Sequence, residues 1–161
     1  MATSNAATNY LERRILNFIF KNNAQIGGAN FGSGNSNGLG NDIYIGLATA
    51  VTNTGELGSS EITEADFNGY TRIQVPAAKW DIIANDTTDT QTAKNNDNIE
   101  FNAHSGGSSP GDAADVISHV FIADASSSGN ILFVGALDSN KTIAEGDIFR
   151  INTNNLTIEL K

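Results

Sequence analysis

The sequence predicts a mainly β protein: an antiparallel β-sandwich or barrel-like domain of about 7–8 strands, preceded by an N-terminal α-helix. Three observations carry this. A helical period of apolar residues is confined to the first twenty-one positions. Beyond position 41 that period gives way to short segments that alternate or are apolar throughout. The stretches between them are built from turn formers, in a chain of 161 residues that holds 21 Asn and 16 Gly. Three sections follow: a helix or arm over 1–26, a Gly/Asn-rich loop over 27–41, and a single β body over 42–161.

The helix is expected over residues 4–21, with Ser4 as a good N-cap type. Ala7, Leu11, Ile15, Phe18 and Ile19 recur at helical spacing and form one apolar stripe. Leu16 and Phe20 lie off that stripe, so the last two turns are apolar on more than one face. A helix of this kind needs two partners, such as its own sheet and another subunit. Residues 27–41 follow as Gly/Asn/Ser loop, with no period and too little apolar content to pack a core.

The strands are read in order. Ile43, Ile45 and Leu47 alternate onto one face of residues 42–48. Residues 70–75 form a strand stopped by Pro76, and 79–83 a weaker one. Segment 84–97 is polar and reads as a surface loop or a polar hairpin. Residues 98–102 alternate again, and 103–113 are loop. Residues 115–124 and 130–137 are apolar on both faces, as central strands are, with 125–129 as the hairpin loop between them. Residues 147–151 and 156–160 close the chain. In the last strand Leu156, Ile158 and Leu160 point inward.

The residues that chemistry would need are scarce. There is no cysteine, which excludes a disulfide framework, a thiolate metal site and a cysteine nucleophile. The first residues lack the basic and apolar regions of a signal peptide, and no apolar run reaches the length of a membrane span. His104 lies in a Gly/Ser stretch and reads as a solvated loop residue. Ser118, His119 and Asp124 do not make a triad by spacing, because neighbours on a strand point to opposite faces. The Gly-rich loop follows a helix and precedes a strand, the reverse of a phosphate-binding turn. Residues 38–44 resemble part of one calcium-binding nonapeptide, which needs stacked copies to close an ion's shell. Asp86, Asp89 and Asp97 read as a solvated acidic loop, and the pairs Glu61/Glu64 and Asp112/Asp115 as surface. Trp80 and Tyr70 read as core, although with Tyr44 they are the aromatics a sugar-stacking platform would use. No cofactor and no enzymatic activity are expected.

Net charge is −9. That argues against nucleic acid as a partner, since phosphate binding needs a basic surface. The charge is uneven. Residues 1–21 carry Arg13, Arg14 and Lys21 against Glu12, while residues 22–161 carry six basic and seventeen acidic groups, a net −11. A basic segment thus stands ahead of an acidic body.

The order of segments resembles a family. It runs from the helix ending in residues 10–20 through the strand 43–48, the stretch 62–75, Trp80, the strands 117–124 and 129–137, and the closing 146–160. This is similar to small virion structural proteins of tailed bacteriophages, described as tail fibre, head decoration or structural protein. The resemblance covers nearly the whole chain. It implies a non-enzymatic role in the virion, foremost as a capsid decoration (cement) protein on the outer head surface that stabilises the shell. Tail fibre, tail-tip or adaptor component is the first alternative, and a host-glycan-binding module the second. The implied partners are the major capsid protein or other virion proteins and further copies of the chain, as a trimer, with neither nucleic acid nor membrane. The expected contact residues are Arg13, Arg14, Leu16, Phe20 and Lys21.

Overall fold

The computed structural model describes residues 8–21, 25–26, 29–30, 43–52, 61–84, 91–107 and 114–160. It is mainly β with an N-terminal helix, all strand pairs are antiparallel, and the sheets do not close into a barrel. The chain divides into two compact units, Met1–Asp42 with Pro76–Asn98 and Asn152–Lys161, and Ile43–Val75 with Ile99–Ile151.

The first unit holds the helix α1, Asn9–Phe20. Thr8 caps it: its backbone is extended and its hydroxyl accepts from the Leu11 amide at 3.3 Å. The expected cap, Ser4, lies outside the described residues. Gln25–Ile26 (β1) and Ala29–Asn30 (β2) pair as a short hairpin, so pairing enters a stretch expected to be loop. The remaining strands of this unit form a three-stranded sheet. Trp80–Ile83 (β6) pairs with Gln91–Asn95 (β7), which pairs in turn with Thr157–Leu160 (β12). Segment 84–97 therefore contains the second arm of a hairpin. Its inward side chains are Gln91, Ala93 and Asn95, all buried, so no apolar alternation marks it.

Asn95 shows how a buried amide is accommodated in β7. Its Nδ2 donates to the carbonyls of Asp97 and Asn152 at 2.7 and 2.9 Å, and its Oδ1 accepts from the Leu156 amide at 2.9 Å. Its backbone carbonyl accepts from Asn154. One side chain thus fixes the turn that delivers β12, at no cost in unpaired polar groups. β12 then buries Ile158 as its alternation predicts.

The second unit holds a five-stranded sheet. Ile131–Ile143 (β10) pairs with Asp115–Ala123 (β9), and β9 with Ile43–Val51 (β3). On its far side β3 pairs with both Ile62–Glu64 (β4) and Ile73–Val75 (β5). β3 and β9 are central and carry buried residues on both faces. Ile43, Ile45 and Leu47 share one face with Val120 and Ile122. The other face holds Ala48, Phe121 and Ala123, with Ile131, Val134, Val51 and Ile62 packed against them. β10 was expected to be central as well. It is instead an edge strand of the described sheet, and most of its side chains are half-buried or exposed. Its apolar run predicts burial of both faces, but side chains do not report the backbone edges, and among the described strands only β9 pairs with it. A separate two-stranded ribbon joins Ile99–Glu100 (β8) to Arg150–Ile151 (β11).

Candidate functional surfaces and a buried arginine clamp

The helix comes first because the expected contact residues lie on it. Its buried line is Glu12, Leu16 and Phe20, one residue per turn. Phe20 packs on Trp80 with ring centroids 4.5 Å apart. The stripe read from the sequence lies elsewhere. Leu11 is exposed, and Ile15, Phe18 and Ile19 are only half-buried. The buried line was hidden by Glu12, a carboxylate on the inner face whose Oε2 finds no hydrogen-bond partner among the described residues.

The five residues expected at an interface therefore separate. Leu16 and Phe20 are buried and offer no surface. Lys21 sits at the helix C-cap and donates from Nζ to the carbonyls of Ala77 and Trp80, at 3.2 and 2.7 Å. It latches the helix to β6. Arg13 and Arg14 are half-exposed, and the Arg14 guanidinium lies 5.2 Å from the centre of the Tyr10 ring.

The densest polar constellation surrounds Arg72, just ahead of β5. Nε and Nη2 form a fork on the two oxygens of Glu64, at 2.8 and 2.7 Å. Nη1 donates to the carbonyls of Ala125 and Ser128, at 2.9 and 2.7 Å. The guanidinium also lies 5.0 Å from the centre of the Phe121 ring. Glu64 accepts a further bond from the Tyr70 hydroxyl at 2.7 Å, and that hydroxyl accepts from the Leu47 amide at 3.0 Å. Burial, with the Glu64 carboxylate beside it, holds the Tyr70 phenol above its ordinary range. The hydrogen bonds to Glu64 likewise raise the Arg72 guanidinium.

The clamp positions the loop between β9 and β10. Asp124 opens that loop and accepts from the amide and side chain of Asn130, both at 2.7 Å. These bonds hold the Asp124 carboxyl below the usual carboxylate range, the side-chain bond contributing most. Ser128 and Gly129 turn the chain with positive φ. What the loop presents outward is Ser126, Ser127, Ser128, Gly129 and Asn130, all exposed. An exposed loop of small polar residues is thus held from beneath by a nearly buried arginine.

The residues weighed for chemistry are accounted for as follows. Ser118 Oγ does reach His119 Nδ1, at 2.7 Å, against the expectation from strand geometry. The regular ladder stops there: Ala136 faces His119, the next pair is Lys141 with Ile117, and three extra β10 residues fall between. Ser118 Oγ also lies 2.8 Å from the carbonyl of Thr49, which only accepts. The hydroxyl proton therefore goes to Thr49, and His119 donates to the hydroxyl. That is the reverse of nucleophile activation, and Asp124 is bound to Asn130 instead.

His104 is buried rather than solvated. Its amide donates to Asp147 and its carbonyl accepts from Gly146, while its ring lies 5.5 Å from that of Phe67. Glu64 and Asp115 are also structural. Asp115 Oδ2 accepts from the amides of Asp66 and Phe67. Asp97 is paired with Lys79, and Asp86, Asp89 and Asp112 lie outside the described residues. No group of three or more acidic or histidine side chains placed to hold a metal occurs among the described residues. Trp80 is buried, and Tyr70 is packed among Phe67 and Phe101, so neither offers a ring face for stacking a sugar.

A search of curated proteins finds no match. A family model described as podophage GP4 fiber I protein gp80 matches residues 6–159, nearly the whole chain. This agrees with the resemblance to tailed-phage virion structural proteins carried by the order of helix and strands. The chain belongs to this phage fibre-protein family.

Proposed function

We infer that the chain is a non-enzymatic component of a phage fibre, placed at the tail and held there by contacts with other virion proteins. The observation that carries this is the match to a family described as a fibre protein across residues 6–159. The polar chemistry of the described chain supports it. The side chains that would activate a nucleophile or hold a proton in a cleft are instead committed to the backbone. Arg72 ties a loop, Asp115 ties a turn, Lys21 ties the helix, and Ser118 bonds to a strand carbonyl. Such bonds favour a rigid surface on each unit, which suits a protein whose role is to be packed against.

Head decoration is the competing location within the same virion role. The two readings are separated by labelling purified virions with an antibody to the chain and locating the label by electron microscopy. The fibre reading expects label at the tail and none over the head faces. Label spread over the capsid would replace it with decoration, and unlabelled particles, with the chain absent from them by immunoblot, would overturn both.

A further inference from the structure

We propose that the outward face of α1 docks on a second copy of this chain, against the acidic apolar corner around Ile148. The proposal rests on the fibre reading and names the partner of the basic helix.

The helix face opposite the buried line holds Tyr10, Leu11, Arg14 and Ile15. Tyr10 is 42% and Leu11 37% exposed, although both are large apolar side chains on a short helix. Arg14 is braced over the Tyr10 ring. Glu12, the one acidic residue of the segment, is turned inward, so the charge this helix shows to solvent is positive. An apolar centre beside a held guanidinium is the composition of an interface anchor.

The complementary surface lies in the other unit. Ile148 is 49% exposed and Val116 46%. Glu145 and Asp147, both exposed, precede Ile148 in the connection that follows β10. Val116 lies at the end of the β9–β10 ladder, where Asp115 faces Ile143 and Val116 faces Thr142, and Ile148 follows in the connection that leaves β10. Exposed apolar side chains and exposed carboxylates thus follow one another along this connection, the chemical counterpart of the helix face. The same asymmetry runs through the sequence, in which residues 1–21 are net positive and the remainder carries −11.

The two patches differ from each other, so the contact between copies is heterologous. Each copy then offers one patch and receives on the other, which closes into a ring or continues as a filament. Either product suits a fibre built from repeated chains. Charge at the contact sets register and makes the association sensitive to salt.

The test is sedimentation equilibrium of the full chain over a range of concentrations at low and high salt. The expected result is concentration-dependent assembly beyond the monomer, weaker in high salt. Arg14→Glu and Glu145→Lys should each weaken it at least about tenfold. Combined in one chain, the two changes should recover most of the loss, because the charges are exchanged rather than removed. Far-UV circular dichroism checks that each variant keeps its fold, and two independent single variants guard against one that does not. A wild-type chain that stays monomeric, assembly indifferent to both single changes, or a double variant no better than the singles would each overturn the proposal. Failure here with the chain still found in the fibre would leave the fibre reading standing. Absence of the chain from virions would remove that reading whatever the purified chain does.

Discussion

Gly46 faces Phe121 across the β3–β9 ladder, and the ring lies over it. A Cβ at this position would meet the ring at Cζ and stand 2.6 Å from Cε1 and Cε2. Above the ring sits the Arg72 guanidinium, so glycine, phenylalanine and arginine form one stack. Gly46→Ala is predicted to force the ring outward and cost about 1–3 kcal/mol, measured by urea unfolding. The loss should be accompanied by weakened protection of the Ala125 to Asn130 amides, because the clamp moves with the ring. An alanine variant as stable as the parent, with that loop unchanged, would refute the stack as a support. Nothing in the sequence marks Gly46 as special, since it sits within an otherwise alternating strand. The clamp was equally hidden, because Glu64, Tyr70, Arg72 and Ala125 are brought together only by strand pairing.

Among the elements, legibility follows which atoms are buried. β3 and β12 were readable because their inward positions are aliphatic. β7 was not, since two of its three buried residues are the amides Gln91 and Asn95, and an amide declares nothing about the face it occupies. α1 was located from its period but its inner face was not. Its strongest apolar stripe points away from the buried line, where Glu12 interrupts the pattern. β10 was found as a strand and misplaced as central, because an apolar run does not say whether one or both backbone edges are bonded. At this scale Lys21 gives a direct test. Lys21→Met keeps much of the stem and removes the bonds to Ala77 and Trp80. It should cost about 1–3 kcal/mol, chiefly through the Trp80 carbonyl, since the Ala77 carbonyl keeps the Trp80 amide as a donor. Loss of helical signal ahead of the main unfolding transition is the expected readout. A Met variant that melts in one step at the parent temperature would show that Lys21 is not the latch.

For the molecule as a whole, composition excluded more than it identified. The lack of cysteine removes disulfides and thiol chemistry, the acidic balance argues against a phosphate-binding surface, and the order of helix and strands points to the virion. The family match to a fibre protein agrees with that, and favours the fibre alternative over decoration as the specific role. The distinction between these was not legible in the chain because both roles ask for the same thing: a stable β scaffold with structural polar bonds and surfaces open to other copies. The open surfaces follow from the account above, with a basic apolar helix face in one unit and an acidic apolar corner in the other. The central claim is that the chain belongs to the fibre, and copy number per virion tests it most directly. Quantitative mass spectrometry of purified particles, referenced to the major capsid protein, should find the chain at a small fraction of the capsid protein's abundance. Abundance comparable to the capsid protein, or absence of the chain from the particle, would contradict it.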